Sequence, residues 1–216
     1  MQTVLESVKT ILGNEIKLIS VDGEISKILV IGVFHGDEPQ GKFLIDKYLQ
    51  MNSRTGLFIP CLNPDGMAQN TRVNKNGVDL NRNFPTENWG KNEGANATCD
   101  DHTTAYYGGS VPASEIETKF VINVINKYKP KLILTLHSPY KVVNYDGPAR
   151  KIAEKISEII KYPVEESIGY PTPGSFGTYC GVERNIPVIT LELDEKIPVE
   201  DLIQPVFNVF DYVCSL

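Results

Sequence analysis

The stretch that decides the fold is KILVIGVFHGDE, residues 27–38, where an apolar run ends in a cluster of polar side chains. The run shows no alternation of polar and apolar residues, which is typical of a strand buried on both faces. His35, Asp37 and Glu38 follow it at once, before a segment with helical spacing. The pattern predicts a strand, a tight corner and a helix, with three ionisable side chains on the corner.

Strands and helices alternate along the rest of the chain. The predicted strands are EIKLIS, KILVIGVF, GLFIP, KLILTLH, KVVNY and IPVITLEL. Helical spacing marks residues 38–51 and the segments ASEIETKFVINVINKY, GPARKIAEKISEIIKY, GSFGTYCGVERN and VEDLIQPVFNVFDYVC. This alternation predicts an α/β fold, a three-layer helix–sheet–helix sandwich with a mixed, largely parallel central sheet. The length predicts one domain over residues 1–216.

Four local features give more specific predictions. The apolar residues of segment 2–12 have helical spacing, which predicts a short amphipathic helix there. Ser114 and Glu117 have the spacing of a capping box at a helix start. Residues 62–112 lack periodicity, and so long an irregular stretch is usually functional or disordered. Pro205 in the last helix predicts a kink.

The polar residues of greatest chemical interest follow strands. VFHGDE, LTLHS and ITLELDE each place His or Glu at or just beyond the end of a predicted buried strand. In open α/β sheets, ligands bind beyond the carboxyl ends of the strands. We therefore expect these three strand ends to meet in one site.

Composition excludes several classes of function. The net charge of −6 argues against a nucleic-acid partner or an anionic membrane surface. No apolar run reaches the roughly 18 residues of a spanning helix. The first residues show no secretory signal, so we expect a cytoplasmic protein. The four cysteines are scattered, which favours small apolar roles over disulfides.

The residues themselves suggest a metal site. Two His and one carboxylate with an open position are the usual ligands of a hydrolytic zinc ion. His35, Glu38 and His137 could supply them, because a turn at Gly36 would bring the first two together. Taken alone, His35 and Glu38 are more often polar loop residues, because HxxE is a short motif; a second histidine at a strand end strengthens the metal interpretation. His102 is expected to be a solvated loop histidine.

Two further motifs contain charged residues in segments that we predict to be ordered. TRVNKNGVDLNRNFP, residues 71–85, contains Arg72, Asn81 and Arg82, which suit binding of a carboxylate. Glu192 lies in an otherwise apolar strand, where a carboxylate is costly unless it is paired or close to a metal. Near zinc it could accept a proton from water and pass it to a leaving amine.

Taken together, HGDE, NPDGMAQNTRVNKNGVDLNRNFP, LTLHS and TLEL resemble the zinc carboxypeptidases of the carboxypeptidase A type in order and surroundings. The resemblance covers residues 27–194 and implies a carboxypeptidase-like fold. NGVDLNRNFP with GYPTPGSFGTYC is most similar to the murein tripeptide amidases, which cleave between γ-D-glutamate and meso-diaminopimelate. It implies a small peptide substrate derived from the cell wall.

The resemblance also implies a role for each matched residue. One zinc ion per chain would be bound by His35, Glu38 and His137. Glu192 would be the general base and acid, and Arg72 would stabilise the oxyanion. The remaining implied roles are carboxylate binding by Asn81 and Arg82, orientation of His35 by Asp79, and substrate binding by Tyr170.

Two alternatives remain open from the sequence. Deacylases of N-acyl amino acids, the aspartoacylase and succinylglutamate desuccinylase group, share the HxxE motif and the histidine at a strand end. A non-catalytic protein that binds murein fragments would retain the pocket without turnover. The intact ligand and catalytic positions favour an enzyme, and DLNRNFP favours the peptidase side.

Overall fold

The architecture comes from a computed structural model, which describes residues 2–21, 27–51, 54–90, 106–166, 169 and 171–216. Its regular elements are β1 Gln2–Lys9, β2 Glu15–Val21, β3 Ile28–Gly32, α1 Gln40–Met51, β4 Leu57–Ile59, α2 Pro64–Gln69, α3 Ile116–Tyr128, β5 Leu132–His137, β6 Val142–Asp146, α4 Arg150–Ile160, β7 Val164–Glu165, β8 Val188–Glu192 and α5 Ile203–Val213. Short 3-10 helices occupy Leu80–Arg82 and Val199–Leu202, and a π-helix occupies Thr178–Val182.

One eight-stranded sheet runs through the described part of the chain, in the order β1-β2-β4-β3-β5-β8-β6-β7. The four central strands β4, β3, β5 and β8 are parallel, whereas β1–β2, β2–β4 and β6–β8 are antiparallel. Long connections that contain helices allow this parallel pairing, since α1 lies between β3 and β4 and α3 lies between β4 and β5. The mixed sheet confirms the predicted fold class.

Each face of the sheet has its own apolar core. On one face, Val30, Leu134 and Leu191 join a cluster that includes residues of α1, α4 and α5. On the other face, Leu29 and Ile133 join a cluster with α3 and the π-helix. Burial of continuous apolar strands between two helical layers confirms the three-layer arrangement.

The helix predicted over residues 2–12 is wrong, because residues 2–9 form β1, which pairs with β2. The pairing register shifts between Val4 and Glu6. A bulge of this kind reverses the alternation of side chains, so Leu5 and Val8 both pack on the same apolar cluster. Their spacing of three is therefore also compatible with a helix, but pairing with β2 makes this segment a strand.

The predicted capping box is also wrong. α3 starts after Glu115, which makes no capping hydrogen bond with its side chain. The Ser114 hydroxyl donates to Glu115 Oε1 at 2.6 Å, and Glu117 is buried beside Asn74, whose Nδ2 donates to Glu117 Oε2 at 3.3 Å. Other side chains therefore bind both groups that the local pattern assigned to the cap.

The remaining local predictions are confirmed in part. Residues 62–112, where described, contain only α2 and a 3-10 turn, while 91–105 lie outside the described residues. The last helix divides into a 3-10 turn and α5, so Pro205 lies in the first turn of α5, where proline is tolerated. Cys61, Cys180 and Cys214 are free thiols.

Within the described ranges, no helix has both the length and the apolar character needed to cross a membrane.

The buried Glu117 carboxyl should make stability depend on pH. Burial, with a smaller effect of Glu115, raises the pKa of Glu117 to about 7. As pH rises from about 4.5 to 7, the unfolded chain loses this proton while the folded chain keeps it, so stability falls. We expect Glu117→Gln to gain about 1–3 kcal/mol over wild type above pH 7.

Urea unfolding from pH 4 to 8 measures this difference. At pH 4 the two proteins should be equally stable, because the carboxyl is neutral in both states. A gap of the same size at pH 4 and pH 8 would contradict the role assigned to the charge.

Candidate active site

The carboxyl ends of three adjacent strands meet at the site. β5 lies between β3 and β8, and His137, the last residue of β5, is in register with Glu192, the last residue of β8. His35 follows the end of β3 by three residues. The convergence predicted from the sequence is therefore confirmed, and it results from the parallel order of the central strands.

A strained corner turns His35 into the site. Val33 has a φ of +56°, a region that costs a non-glycine residue about 1–3 kcal/mol. Asn63 holds the corner, since its backbone N–H donates to the Val33 carbonyl at 2.9 Å and its Nδ2 to the Phe34 carbonyl at 3.3 Å. Gly36 packs so closely on Gly66 that a Cβ would lie 2.0 Å from the Gly66 carbonyl carbon.

The same loop, just before α1, supplies a buried carboxylate between two imidazole rings. Glu38 Oε1 lies 2.7 Å from His35 Nδ1, and Glu38 Oε2 lies 3.0 Å from His137 Nδ1. One possible ligand atom from each side chain lies within 4.8 Å of the others, and all three residues are buried. Two nitrogens and one oxygen converging in this way fit a zinc ion in the chemistry of the donor set.

The charges of His35 and Glu38 strongly shift each other's pKa. Burial alone would raise the pKa of Glu38, but His35 and His137 hold it far below its usual value. Burial lowers the pKa of His35, yet the charges of Glu38 and Asp79 outweigh that effect and raise it to about 9. A cation placed among these groups would replace the attraction that the protonated imidazole provides.

Asp79 fixes the orientation of the first histidine. Its carboxylate is fully buried, and Oδ1 lies 3.2 Å from His35 Nε2 and accepts from the Asn81 N–H at 2.8 Å. Oδ2 accepts from Arg72 Nε at 3.0 Å, and Arg72 Nη2 also lies 3.0 Å away. Both oxygens are therefore satisfied, and the contact at Nε2 leaves His35 Nδ1 facing Glu38.

Arg72, Asn81 and Arg82 surround the open side of the trio. Arg72 Nη1 lies 3.8 Å from Glu38 Oε1, and its side chain is one-quarter exposed. Arg82 Nη1 donates to the Asn81 carbonyl at 2.7 Å, while the Asn81 amide oxygen accepts from the Phe176 N–H at 2.9 Å. The predicted anion-binding residues are thus ordered and adjacent.

Sequence reasoning missed Tyr106, which underlies both arginines. Its ring centroid lies 5.2 Å from the Arg72 guanidinium carbon and 5.5 Å from that of Arg82. Cation–π contacts of this kind hold guanidinium groups in place. No local motif marks this tyrosine, because the contacts join it to residues that are distant in the sequence.

Glu192 differs from the other carboxylates of the site. It is buried, and its Oε2 has no hydrogen-bond partner in the part of the chain that the structure describes. Burial, and to a smaller extent the charge of Glu38, raise its pKa above the usual value, although His137 lowers it in part. An unpaired carboxylate oxygen with a raised pKa is available for proton transfer.

These side chains line one open cleft of about 270 Å³. Its lining residues are His35, Asp37, Glu38, Arg72, Asn81, Arg82, Tyr106, His137, Ser138, Pro139, Tyr140, Thr172, Glu192 and Glu195. Of the predicted site residues, Tyr170 alone lies outside the described part of the chain. His102 and Cys99, which were not predicted to belong to the site, also lie outside it. Asp79 lies behind the cleft wall and supports it.

The sequence is similar to known proteins of one family. The zinc carboxypeptidase family matches residues 2–166. Murein peptide amidase A from Escherichia coli K12 is 32% identical over 170 residues, covering 76% of this chain and 69% of that protein. Mast cell carboxypeptidase A from Homo sapiens is 33% identical over 121 residues, covering 46% of this chain and 28% of that protein.

Solved structures agree with the sequence matches. The crystal structure of murein-tripeptide amidase MpaA from Escherichia coli O157 has a TM-score of 0.82 at 26% identity, covering 100% of this chain and 92% of that chain. Thrombin activatable fibrinolysis inhibitor shares the fold with a TM-score of 0.74 at 18% identity, covering 98% of this chain and 69% of that one. The chain therefore belongs to the zinc carboxypeptidase family and is a hydrolytic metallopeptidase.

Proposed function

We propose that this protein is a zinc-dependent amidase of murein peptides, which hydrolyses the bond between γ-D-glutamate and a C-terminal meso-diaminopimelate. The observation that carries the proposal is the unpaired Oε2 of Glu192 beside the buried trio of His35, Glu38 and His137. The similarity to murein peptide amidase A and to MpaA supports the choice of substrate.

The metal would be bound by His35 Nδ1, His137 Nδ1 and an oxygen of Glu38. These three residues leave their open side towards the cleft, where substrate and water can enter. When bound, zinc polarises a carbonyl group and lowers the pKa of a coordinated water. Asp79 would keep His35 in the tautomer that presents Nδ1.

Glu192 would carry the proton between the two halves of the reaction. Its free oxygen accepts a proton from the attacking water, whose oxygen forms a bond to the amide carbon. The carbon–nitrogen bond then breaks, and Glu192 donates the same proton to the leaving amine. The raised pKa of the carboxyl suits both steps, because it brings proton affinity closer to neutral pH.

The arginines would hold the substrate in place for this chemistry. Arg72 has Nε and Nη2 against Asp79, which leaves its Nη1 hydrogens available at the cleft. They would stabilise the negative charge that develops on the carbonyl oxygen. Asn81 and Arg82 would bind the free carboxylate next to the scissile amide, a role that suits a planar guanidinium.

The general-base role is tested by Glu192→Gln with the peptide L-Ala-γ-D-Glu-meso-diaminopimelate. We expect the zinc-loaded wild type to release free diaminopimelate, and the variant to lose about 10²–10⁴-fold in kcat. Mass spectrometry follows product, and atomic absorption follows zinc per chain. The matched control is Glu195→Gln, which changes an exposed carboxylate lining the same cleft.

A Glu192→Gln variant with wild-type turnover would refute the assignment of the base. If wild type cleaves N-acetylaspartate or N-succinylglutamate instead of the peptide, the proposed substrate class is wrong while the family assignment stands.

The supporting role of Asp79 is tested separately by Asp79→Asn. The amide keeps the shape but loses the charge that faces His35 and Arg72, so zinc affinity should fall by about 10- to 100-fold. Competition with a fluorescent chelator measures this affinity. Asp37→Asn, an exposed change between the two proposed ligands, should bind zinc as wild type does; equal affinities for all three proteins would contradict the role of Asp79.

A further inference from the structure

One buried side chain, that of Asn74, closes a loop beside the active site. Asn74 Oδ1 accepts hydrogen bonds from the backbone N–H groups of Asn76, at 3.0 Å, and Val78, at 3.1 Å. The Asn74 N–H in turn donates to the Val78 carbonyl at 2.9 Å. Side chain and backbone therefore tie the two ends of segment 74–78 together, and this segment is called the closed loop below.

An ion pair of the active site joins the residues on either side of the closed loop. Arg72 lies two residues before Asn74, and Asp79 directly follows the loop. Arg72 Nε and Nη2 each lie 3.0 Å from Asp79 Oδ2. The Arg72 carbonyl also accepts from the Gly36 N–H at 3.3 Å, and the Asp79 N–H donates to the Tyr107 carbonyl at 2.8 Å. Because the backbone is bound on both sides, the shape of the closed loop determines how Arg72 meets Asp79.

The amide nitrogen of Asn74 anchors the closed loop to the start of α3. Nδ2 donates to Glu115 Oε2 at 2.8 Å and to Glu117 Oε2 at 3.3 Å. Glu115 is buried, and its Oε2 also accepts from Asn76 Nδ2 at 2.7 Å. The Asn74 side chain thus accepts two hydrogen bonds and donates two, which is the full capacity of an amide group.

The chemistry of position 74 is therefore closely defined. One end of the side chain faces two backbone N–H groups and needs an acceptor, while the other end faces Glu115 and needs a donor. An aspartate would offer no donor to Glu115, and a leucine would bond to neither side. An amide meets both requirements at once.

Asn74 and its anchor lie behind the cleft wall. Asn74, Glu115 and Glu117 line a separate open cavity of about 310 Å³. The described lining of the cleft includes Arg72, but neither Asn74 nor Glu115. Asn74 can therefore act on the reaction through Arg72 and Asp79 rather than by contact with substrate.

We propose that Asn74 is a positioning residue, which fixes Arg72 against Asp79 so that the Arg72 Nη1 hydrogens stay available at the cleft. This inference rests on the proposed function, in which Arg72 stabilises the charge that develops on the carbonyl oxygen. Donors held in place before the reaction are effective because they need no reorganisation when that charge forms. A looser loop would let the guanidinium group reorient, and the loss should therefore affect kcat more than KM.

Asn74→Ala removes all four side-chain hydrogen bonds and tests the proposal. The neighbouring groups line an open cavity, so water can replace the lost partners and the fold should persist. With L-Ala-γ-D-Glu-meso-diaminopimelate, we expect kcat to fall about tenfold or more, while KM stays within about threefold of wild type. Zinc content should remain at one ion per chain.

NMR of the arginine Nε–H groups measures the position of Arg72 without substrate, and Arg72→Lys identifies the signal. The Arg72 Nε–H donates to a fully buried carboxylate, so its hydrogen should exchange slowly with solvent in wild type. In Asn74→Ala we expect this exchange to be about tenfold faster or more, because the loop that holds the ion pair opens more often.

Asn76→Ala is the matched control, because it removes the other amide bound to Glu115 Oε2 while Asn74 still closes the loop. It should match wild type in kcat and in exchange at Arg72. Glu115→Ala removes the anchor itself and should change both quantities in the same direction as Asn74→Ala.

Either a wild-type kcat or a wild-type exchange rate in Asn74→Ala overturns the proposal, and so does an equal loss in Asn76→Ala. A loss confined to KM or to zinc content also overturns it, because Arg72 would then not be the group affected. Wild type that does not cleave the peptide contradicts the proposed function, whereas exchange at Arg72 still decides whether Asn74 positions this arginine.

Discussion

The contact of one carboxylate with two histidine rings determines the arrangement of the whole site. Glu38 meets His35 Nδ1 at 2.7 Å and His137 Nδ1 at 3.0 Å, although 99 residues separate Glu38 from His137. The parallel neighbours β3 and β5 make this contact possible, because they deliver both histidines to the same edge of the sheet. The strained φ of Val33 is tolerated because Asn63 and the close packing of Gly36 fix the corner around it.

The buried carboxylates of the molecule differ in how completely they are satisfied, and this difference suggests their roles. Asp79 has partners on both oxygens, so it is suited to hold other groups in place. Glu38 faces two imidazoles and is suited to bind a cation between them. Glu192 keeps an unpaired Oε2 and lines the cleft, which suits contact with water and substrate. Burial is common to all three, so the local partners decide the chemistry.

Sequence predicted the centre of the sheet and most of the site, because both depend on strong local signals. Fully apolar strands ending in His or Glu identify the active edge from the chain alone, and the order of strands then brings the residues together. The edge strand β1 could not be identified, because its bulge produces the same spacing of apolar residues as a helix. Tyr106 was also missed, since contacts with two arginines distant in the sequence have no periodic signature.

The central claim is that His35, Glu38 and His137 bind one zinc ion while Glu192 stays free to transfer protons. A crystal structure of the zinc-loaded protein, with anomalous data at the zinc edge, tests it most directly. We expect one ion within about 2.0–2.3 Å of His35 Nδ1, His137 Nδ1 and an oxygen of Glu38, with Glu192 outside the coordination sphere. An ion bound elsewhere, or one coordinated by Glu192 in place of Glu38, would contradict it.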